Sequence, residues 1–238
     1  MKKKLSSIIY TVLFLSGLSL MLYPYLSKAW NAYRQSKLAS NYGQIVTEET
    51  EERDYSKEWD QARAYNEALY EKNDPYAFAR AEFAEEPDEV YLSCLDIMGD
   101  GMMGYLEIPT IDIKLPIYHT TDESVLEDSV GHLEGSSLPV GGENTHAVLS
   151  AHRGLPNTKL FTALDSVKVG DTFYMYILDE VLAYEVDQIL VVEPAETSEL
   201  LIQEGQDYVT LFTCTPFAVN THRLLVRGHR VENSQPIE

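Results

Sequence analysis

A mainly β body hung from one membrane-spanning helix is the architecture that this sequence of 238 residues predicts. Three observations predict it. Short runs rich in Val, Ile, Tyr, Phe and Thr, broken by turn residues, recur from residue 105 to residue 230. Helical signals within that region are few. Leu5–Ser27 carries no charged residue, and as a helix it spans about 35 Å, enough to cross a bilayer.

Lys2, Lys3 and Lys4 directly precede the apolar run, so the positive-inside bias places the N-terminus in the cytoplasm and the body outside. A cleaved signal peptide is the competing reading. The apolar length and the lack of a small-x-small cleavage site favour an uncleaved anchor. Tyr23, Tyr25 and Trp30 suit the outer interface. Residues 28–53 are polar and read as a juxtamembrane helix or stalk. Asp54–Lys72 reads as a helix capped by Asp54 or Ser56, with Trp59, Ala62, Leu69 and Tyr70 in a partial apolar stripe. Asn73-Asp74-Pro75 ends it, because the residue before proline avoids helical backbone. Residues 74–90 are acidic and aperiodic, a long exposed segment.

The body begins near the turn Gly99-Asp100-Gly101. Strands are expected at Tyr105–Ile108, Ile111–Tyr118, Ala147–Ser150, Thr172–Leu178, Leu182–Val192, Tyr208–Thr213 and Leu224–Arg230, with helical pieces near Glu123–Val130 and Leu160–Asp165. That spacing predicts a barrel or sandwich. The expected division is a stub and anchor over 1–27, a juxtamembrane helical region over 28–98 and the β body over 99–238.

The formal net charge is −20, yet residues 1–47 hold six basic and no acidic residues, which leaves −26 on the rest. A body this acidic excludes nucleic acid as a partner, since that needs a basic footprint. It is compatible with lysine-bearing protein substrates, although solubility alone accounts for much of it. No metal site or cofactor is indicated. The two cysteines, Cys94 and Cys214, are too few for a disulfide framework. Cys94 reads as a small buried apolar residue.

Cys214 ends the most apolar strand, Arg223 follows nine residues later, and His152 follows the short strand Ala147–Ser150. A thiolate nucleophile needs a base or cation nearby, histidine can move protons, and arginine can stabilise charge on a carbonyl oxygen. Residue types and spacing leave a structural reading open, in which the cysteine packs and the arginine belongs to a salt bridge.

Specific motifs narrow the choice. Thr210-Leu211-Phe212-Thr213-Cys214 resembles the Thr-Leu-x-Thr-Cys signature of sortases. Ser150-Ala151-His152-Arg153-Gly154-Leu155-Pro156, Gly104-Tyr105-Leu106-Glu107-Ile108-Pro109, Leu115-Pro116-Ile117-Tyr118-His119, Cys214-Thr215-Pro216-Phe217 and Asn220–Gly228 resemble the pilus-assembling class C branch. The resemblance implies an eight-stranded β-barrel cysteine transpeptidase on the outer face of a Gram-positive cell, without a cofactor. It implies that a Leu-Pro-x-Thr-Gly-like (LPxTG-like) sorting signal is cut between Thr and Gly. Cys214 would form the thioacyl enzyme, His152 would carry the protons and Arg223 would stabilise the oxyanion. The implied partners are sorting signals of pilins or surface proteins and an acceptor lysine of a pilin, with the N-terminal helix holding the membrane. Arg227 and His222 read as structural.

The same branch carries a lid with an Asp-Pro-aromatic motif, which Asp74-Pro75-Tyr76 matches; an ordinary helix exit is the plainer reading. By that analogy Asp74 would pair with an active-site arginine and Tyr76 would lie over Cys214. Many class C enzymes also carry a C-terminal apolar span. None is present in Val231–Glu238, so anchoring is expected to rest on the N-terminal helix. The alternatives are attachment of surface proteins to peptidoglycan and a non-catalytic membrane-tethered β-barrel protein. An L,D-transpeptidase would need Ser-His-Gly-Cys with Arg close behind, and a papain-like order would place Cys before His.

Overall fold

The apolar run and the polar segment after it form one helix, α1 (Lys2–Thr50). The structure is a computed structural model that describes residues 2–50, 54–72, 74, 77–78, 88–153 and 159–232. Within Ser7–Gln44, α1 is long and apolar enough to cross a membrane. Past the apolar run it is not a free stalk. Tyr42 is buried, donates from its hydroxyl to Met103 O at 3.0 Å and accepts from Leu178 N at 2.9 Å. Gln35 Nε2 donates to Asp128 O at 2.6 Å, and Arg34 pairs with the Asp128 carboxylate. Few side chains make this seam and they are polar, so no apolar stripe announced it.

Helix α2 (Ser56–Lys72) starts where Asp54 Oδ1 accepts from Ser56 N at 2.9 Å. It buries Trp59 and Ala62 as expected, and also Asn66. The Asn66 amide donates to Leu138 O at 3.1 Å and accepts from Leu138 N at 2.7 Å, so its burial is satisfied. Trp59 Nε1 donates to Asp179 Oδ1 at 2.8 Å. A short helix, α3 (Glu89–Ser93), lies at the edge of the segment that reads as exposed. Its Tyr91 is fully buried and its hydroxyl accepts from Thr120 N at 3.0 Å.

Eight strands follow: β1 (Met102–Ile108), β2 (Ile113–Tyr118), β3 (Val130–His132), β4 (Thr145–Ser150), β5 (Thr172–Ile177), β6 (Glu180–Val192), β7 (Asp207–Thr215) and β8 (His222–Val231). They close into a barrel in the order β1-β2-β3-β4-β7-β8-β6-β5. The pairs β2–β3 and β4–β7 are parallel and the others antiparallel. Strands β1, β4, β6 and β7 therefore finish, and β2, β3, β5 and β8 begin, at one common end. The helix expected over Glu123–Val130 stops early as α4 (Glu123–Leu126), and Val130 opens β3 instead. Three residues are too few for a period to be read.

The interior is filled by Leu106, Ile117, Leu149, Met175, Leu182 and Leu211, each fully buried and worth roughly 1.5–3 kcal/mol. Gly228 is required by packing. A Cβ there would lie 2.7 Å from the Phe173 ring and 3.0 Å from Tyr184 Cβ, beneath that stacked aromatic pair. On the outer face of β4, β7, β8 and β6 a second apolar cluster forms around Val148, Leu200 and Leu225, with Phe78, Leu190, Val192 and Phe212 packed on it.

Candidate active site

Register fixes the site. In the β7–β8 ladder Cys214 stands directly opposite Arg223, and Thr215 opposite His222. Opposed residues of an antiparallel pair share a face, so the thiol and the guanidinium point the same way. Strand β4 runs parallel to β7 with Ser150 beside Phe212. Ala151 N donates to Phe212 O at 3.3 Å and Thr213 Oγ1 donates to Ala151 O at 2.7 Å, which carries the pairing past the last residue of β4. His152, two residues beyond Ser150, thus reaches the level of Cys214. Alternation along β7 buries Val209, Leu211 and Thr213 inside the barrel and turns Phe212 and Cys214 outward. Cys214 and Arg223 thus share the outer face, and His152 stands at their level just past β4, where the apolar cluster runs out.

Each has a defined setting. Cys214 is half-buried and free, and Cys94 is buried and free, so no disulfide caps the thiol. His152 is 31% exposed, and its Nε2 has Glu123 Oε1 at 3.4 Å. Phe161 N donates to His152 O at 3.2 Å. Arg223 Nη1 donates to Asn220 O at 3.3 Å and to His222 O at 3.2 Å, so its guanidinium rests on the carbonyls of its own loop. These are neutral acceptors that an incoming anionic oxygen can replace.

Arg153 supplies a link that sequence reasoning missed. Its side chain is only 7% exposed; Nη1 donates to Thr215 Oγ1 at 2.8 Å and Nη2 to Asp165 Oδ2 at 2.5 Å. The residue after His152 is thereby tied to the residue after Cys214. Its position beside His152 in the sequence was visible, but its partner 62 residues away was not. Glu123 was missed for the same reason. Arg227 pairs with Asp187 through Nε at 3.0 Å and Nη2 at 2.9 Å and lies over the Tyr208 ring, as a structural arginine should. His222 faces Glu193 at 3.7 Å.

Of the lid motif, Pro75 and Tyr76 lie outside the described residues. Asp74 is half-buried, with Ala77, Phe78, Gly135 and Leu200 around the same small cavity of about 110 Å³. Ala77 N donates to Asp74 O at 3.1 Å, and Phe78 joins the outer apolar cluster that contains Phe212 and Val192. Phe78 therefore sits on the face that leads to Cys214. Among the described residues no group of three or more His, Cys, Asp or Glu is placed to hold a metal ion.

A thiol, an imidazole and a guanidinium on one outer face are the parts of acyl transfer: a nucleophile, a proton carrier and a donor for a developing oxyanion. The sequence matches the family model of the sortase domain over residues 106–231. Among solved structures, sortase C of Streptococcus pneumoniae, whose structure addresses pilin substrate specificity, is 43% identical with a TM-score of 0.75, covering 84% of this chain and 100% of that one. Clostridium perfringens sortase C, solved with the C-terminal cell wall sorting motif, is 44% identical with a TM-score of 0.69, covering 83% of this chain and 100% of that one. Sortase D of Bacillus subtilis is 33% identical over 131 residues, which span 54% of this chain and 63% of that protein.

Proposed function

The chain belongs to the sortase family of cysteine transpeptidases, with class C enzymes as its structural neighbours, and on that footing we propose that it polymerises pilins through Cys214, His152 and Arg223. The observation that carries the assignment is the register pairing of Cys214 with Arg223 beside the end of β4. The Cys214 thiolate attacks the threonine carbonyl of an LPxTG-like signal. Negative charge gathers on the carbonyl oxygen, and Arg223 exchanges its loop carbonyls for it. The Thr–Gly C–N bond breaks as the His152 imidazolium gives its proton to the leaving glycine amine. A thioacyl enzyme remains. A pilin lysine amine then attacks, His152 takes its proton, the C–S bond breaks and an isopeptide bond forms.

The neighbour solved with a sorting motif supports the LPxTG-like substrate class, and the neighbour described through pilin specificity supports the acceptor. The basic residues before α1 support an outside-facing body anchored by that helix. The segment Asp74-Pro75-Tyr76 acts as a lid, a reading supported by Phe78 on the apolar face beside the site.

Mass spectrometry on the detergent-solubilised chain incubated with an LPxTG peptide tests the chemistry. A thioacyl adduct mapping to Cys214 is expected. A peptide cleaved without any adduct on Cys214 would contradict the assigned nucleophile. Addition of a lysine-bearing pilin domain should convert the adduct to an amide; release as free acid alone would contradict the acceptor.

A further inference from the structure

We infer that the catalytic end of the barrel rests against the bilayer that α1 crosses, with the rim around Cys214 at phospholipid headgroup level. The inference rests on α1 being a membrane span, and it concerns which way the barrel faces once tethered there.

The order of contacts along α1 sets the direction. Within nine residues past the apolar run, Ala32, Gln35 and Ser36 line a cleft with Asp112, Lys114 and Lys159. Lys159 is bound to Asp112 at 2.8 Å and lies two residues before Phe161, whose N–H holds His152 O. Arg34 and Gln35 hold Asp128, two residues past α4, whose first residue Glu123 faces His152. Only later does α1 reach Met103 and Leu178 through Tyr42, at the start of β1 and just past the end of β5. Those positions mark the opposite end of the barrel. The helix thus leaves the membrane beside the loops that hold His152 and climbs away from them.

Length agrees. Ala32 to Ser36 lie five to nine residues past Ser27, about 8–14 Å along the axis at about 1.5 Å per residue. The polar layer on each side of the hydrocarbon core is about 5–8 Å thick. The rim therefore sits at or just above the headgroups.

Surface chemistry gives an independent argument. Outside α1, the exposed large apolar side chains among the described residues are Val90, Val169, Val191, Phe217 and Val219. All but Val90 lie at the catalytic end. Val169 precedes the start of β5, Val191 is at the finish of β6, and Phe217 and Val219 are in the β7–β8 loop next to Cys214. Phe217 is 52% exposed and Val219 63% exposed. An apolar ring on one end of an acidic barrel suits a lipid surface. Nearby charges are of both signs, with Lys159 and Lys168 against Asp112 and Asp171, so the contact is apolar and vesicles of phosphatidylcholine alone are a sufficient probe.

Single-tryptophan forms of the full chain, reconstituted in phosphatidylcholine vesicles, test this by quenching with bromine-labelled phosphatidylcholine. Trp30 alone (Trp59→Phe) reports the anchor. In a background also carrying Trp30→Phe, Phe217→Trp and Val169→Trp report the catalytic end, and Glu180→Trp, at the start of β6, reports the opposite end. Quenching at least threefold stronger at positions 217 and 169 than at 180 is expected. Trp30 quenched with 217 and 169 silent would overturn the inference and leave the anchor standing. Trp30 unquenched would overturn both. A Phe217→Trp form that is silent in lipid but shifts its emission on addition of an LPxTG peptide would give the patch to the substrate, which also overturns it.

Discussion

Arg153 Nη1 donates to Thr215 Oγ1 at 2.8 Å, joining the strand end that bears His152 to the strand end that bears Cys214. The second arm of the same guanidinium holds Asp165 at 2.5 Å. A planar fork can hold both partners in fixed directions, and an ammonium cannot. Arg153→Lys is expected to lower kcat on an LPxTG peptide by about 10- to 100-fold, because small misplacements of reacting groups cost about that much. KM should change little. Steady-state cleavage assays measure this, and an unchanged kcat would show that the tie is dispensable.

Cys214→Ala is expected to remove the thioacyl adduct and leave the fold. The thiol is half-buried at a strand end and carries no structural bond, so the melting temperature should stay within about 2 °C of the parent. Mass spectrometry and thermal melting check the two halves. Retained cross-linked pilin ladders with this variant would sink the nucleophile assignment.

Asp74→Ala is expected to raise the rate at which a thiol reagent labels Cys214 by about threefold or more, as a loosened lid exposes the sulfur. The segment that holds Phe78 on the apolar face starts at this residue. Timed alkylation followed by peptide mapping measures it, with Cys94, buried, as the internal reference. Equal rates would remove the lid.

Acid should weaken the fold through two histidines. Burial pushes His132 and His146 each down to about 4. Each has a neutral hydrogen-bonding pattern: His132 Nε2 faces Ser137 O at 2.7 Å, and His146 Nε2 faces Thr210 Oγ1 at 2.7 Å. Unfolded histidines take a proton near pH 6.5, and the folded ones refuse it until about pH 4. The unfolded chain thus binds more protons in that window, and stability falls as pH drops from 6.5 towards 4. The slope reaches about 1.4 kcal/mol per pH unit for each histidine. Urea midpoints at pH 7.5, 6 and 5 measure it, and His146→Gln should roughly halve the slope.

Tyr42→Phe should cost about 1–3 kcal/mol, because the buried Leu178 N–H loses its acceptor. Thermal melting in detergent reads this as a fall of about 2–10 °C. No change would mean that α1 is not seated on the barrel in solution.

The sequence revealed most strands because Val, Ile and Tyr cluster between turn residues, and seven of the eight barrel strands overlap the expected runs. It did not reveal β3, whose three residues pair in parallel with β2 across an intervening loop. Motifs singled out Cys214, His152 and Arg223 as candidates, and the Cys214–Arg223 adjacency follows from a hairpin short enough to anticipate. The closeness of His152 was not, since a parallel pairing between β4 and β7 leaves no local trace. Arg153, Glu123 and Tyr42 act through partners distant in sequence. Polar seams of this kind have no period, so only the folded chain exposes them.

Strand β8 follows the other seven strands in the chain, and among the described residues it is the one that hydrogen-bonds both β6 and β7. Until it is threaded between them the barrel is an open sheet, and the thiol on β7 has no guanidinium across from it. The chain is synthesised from its N-terminus, so α1 is made long before the closing strand emerges. The pairing of Cys214 with Arg223 is therefore withheld until β8 has been made. A ribosome that stalls short of residue 222 leaves an open sheet in which Cys214 faces no guanidinium.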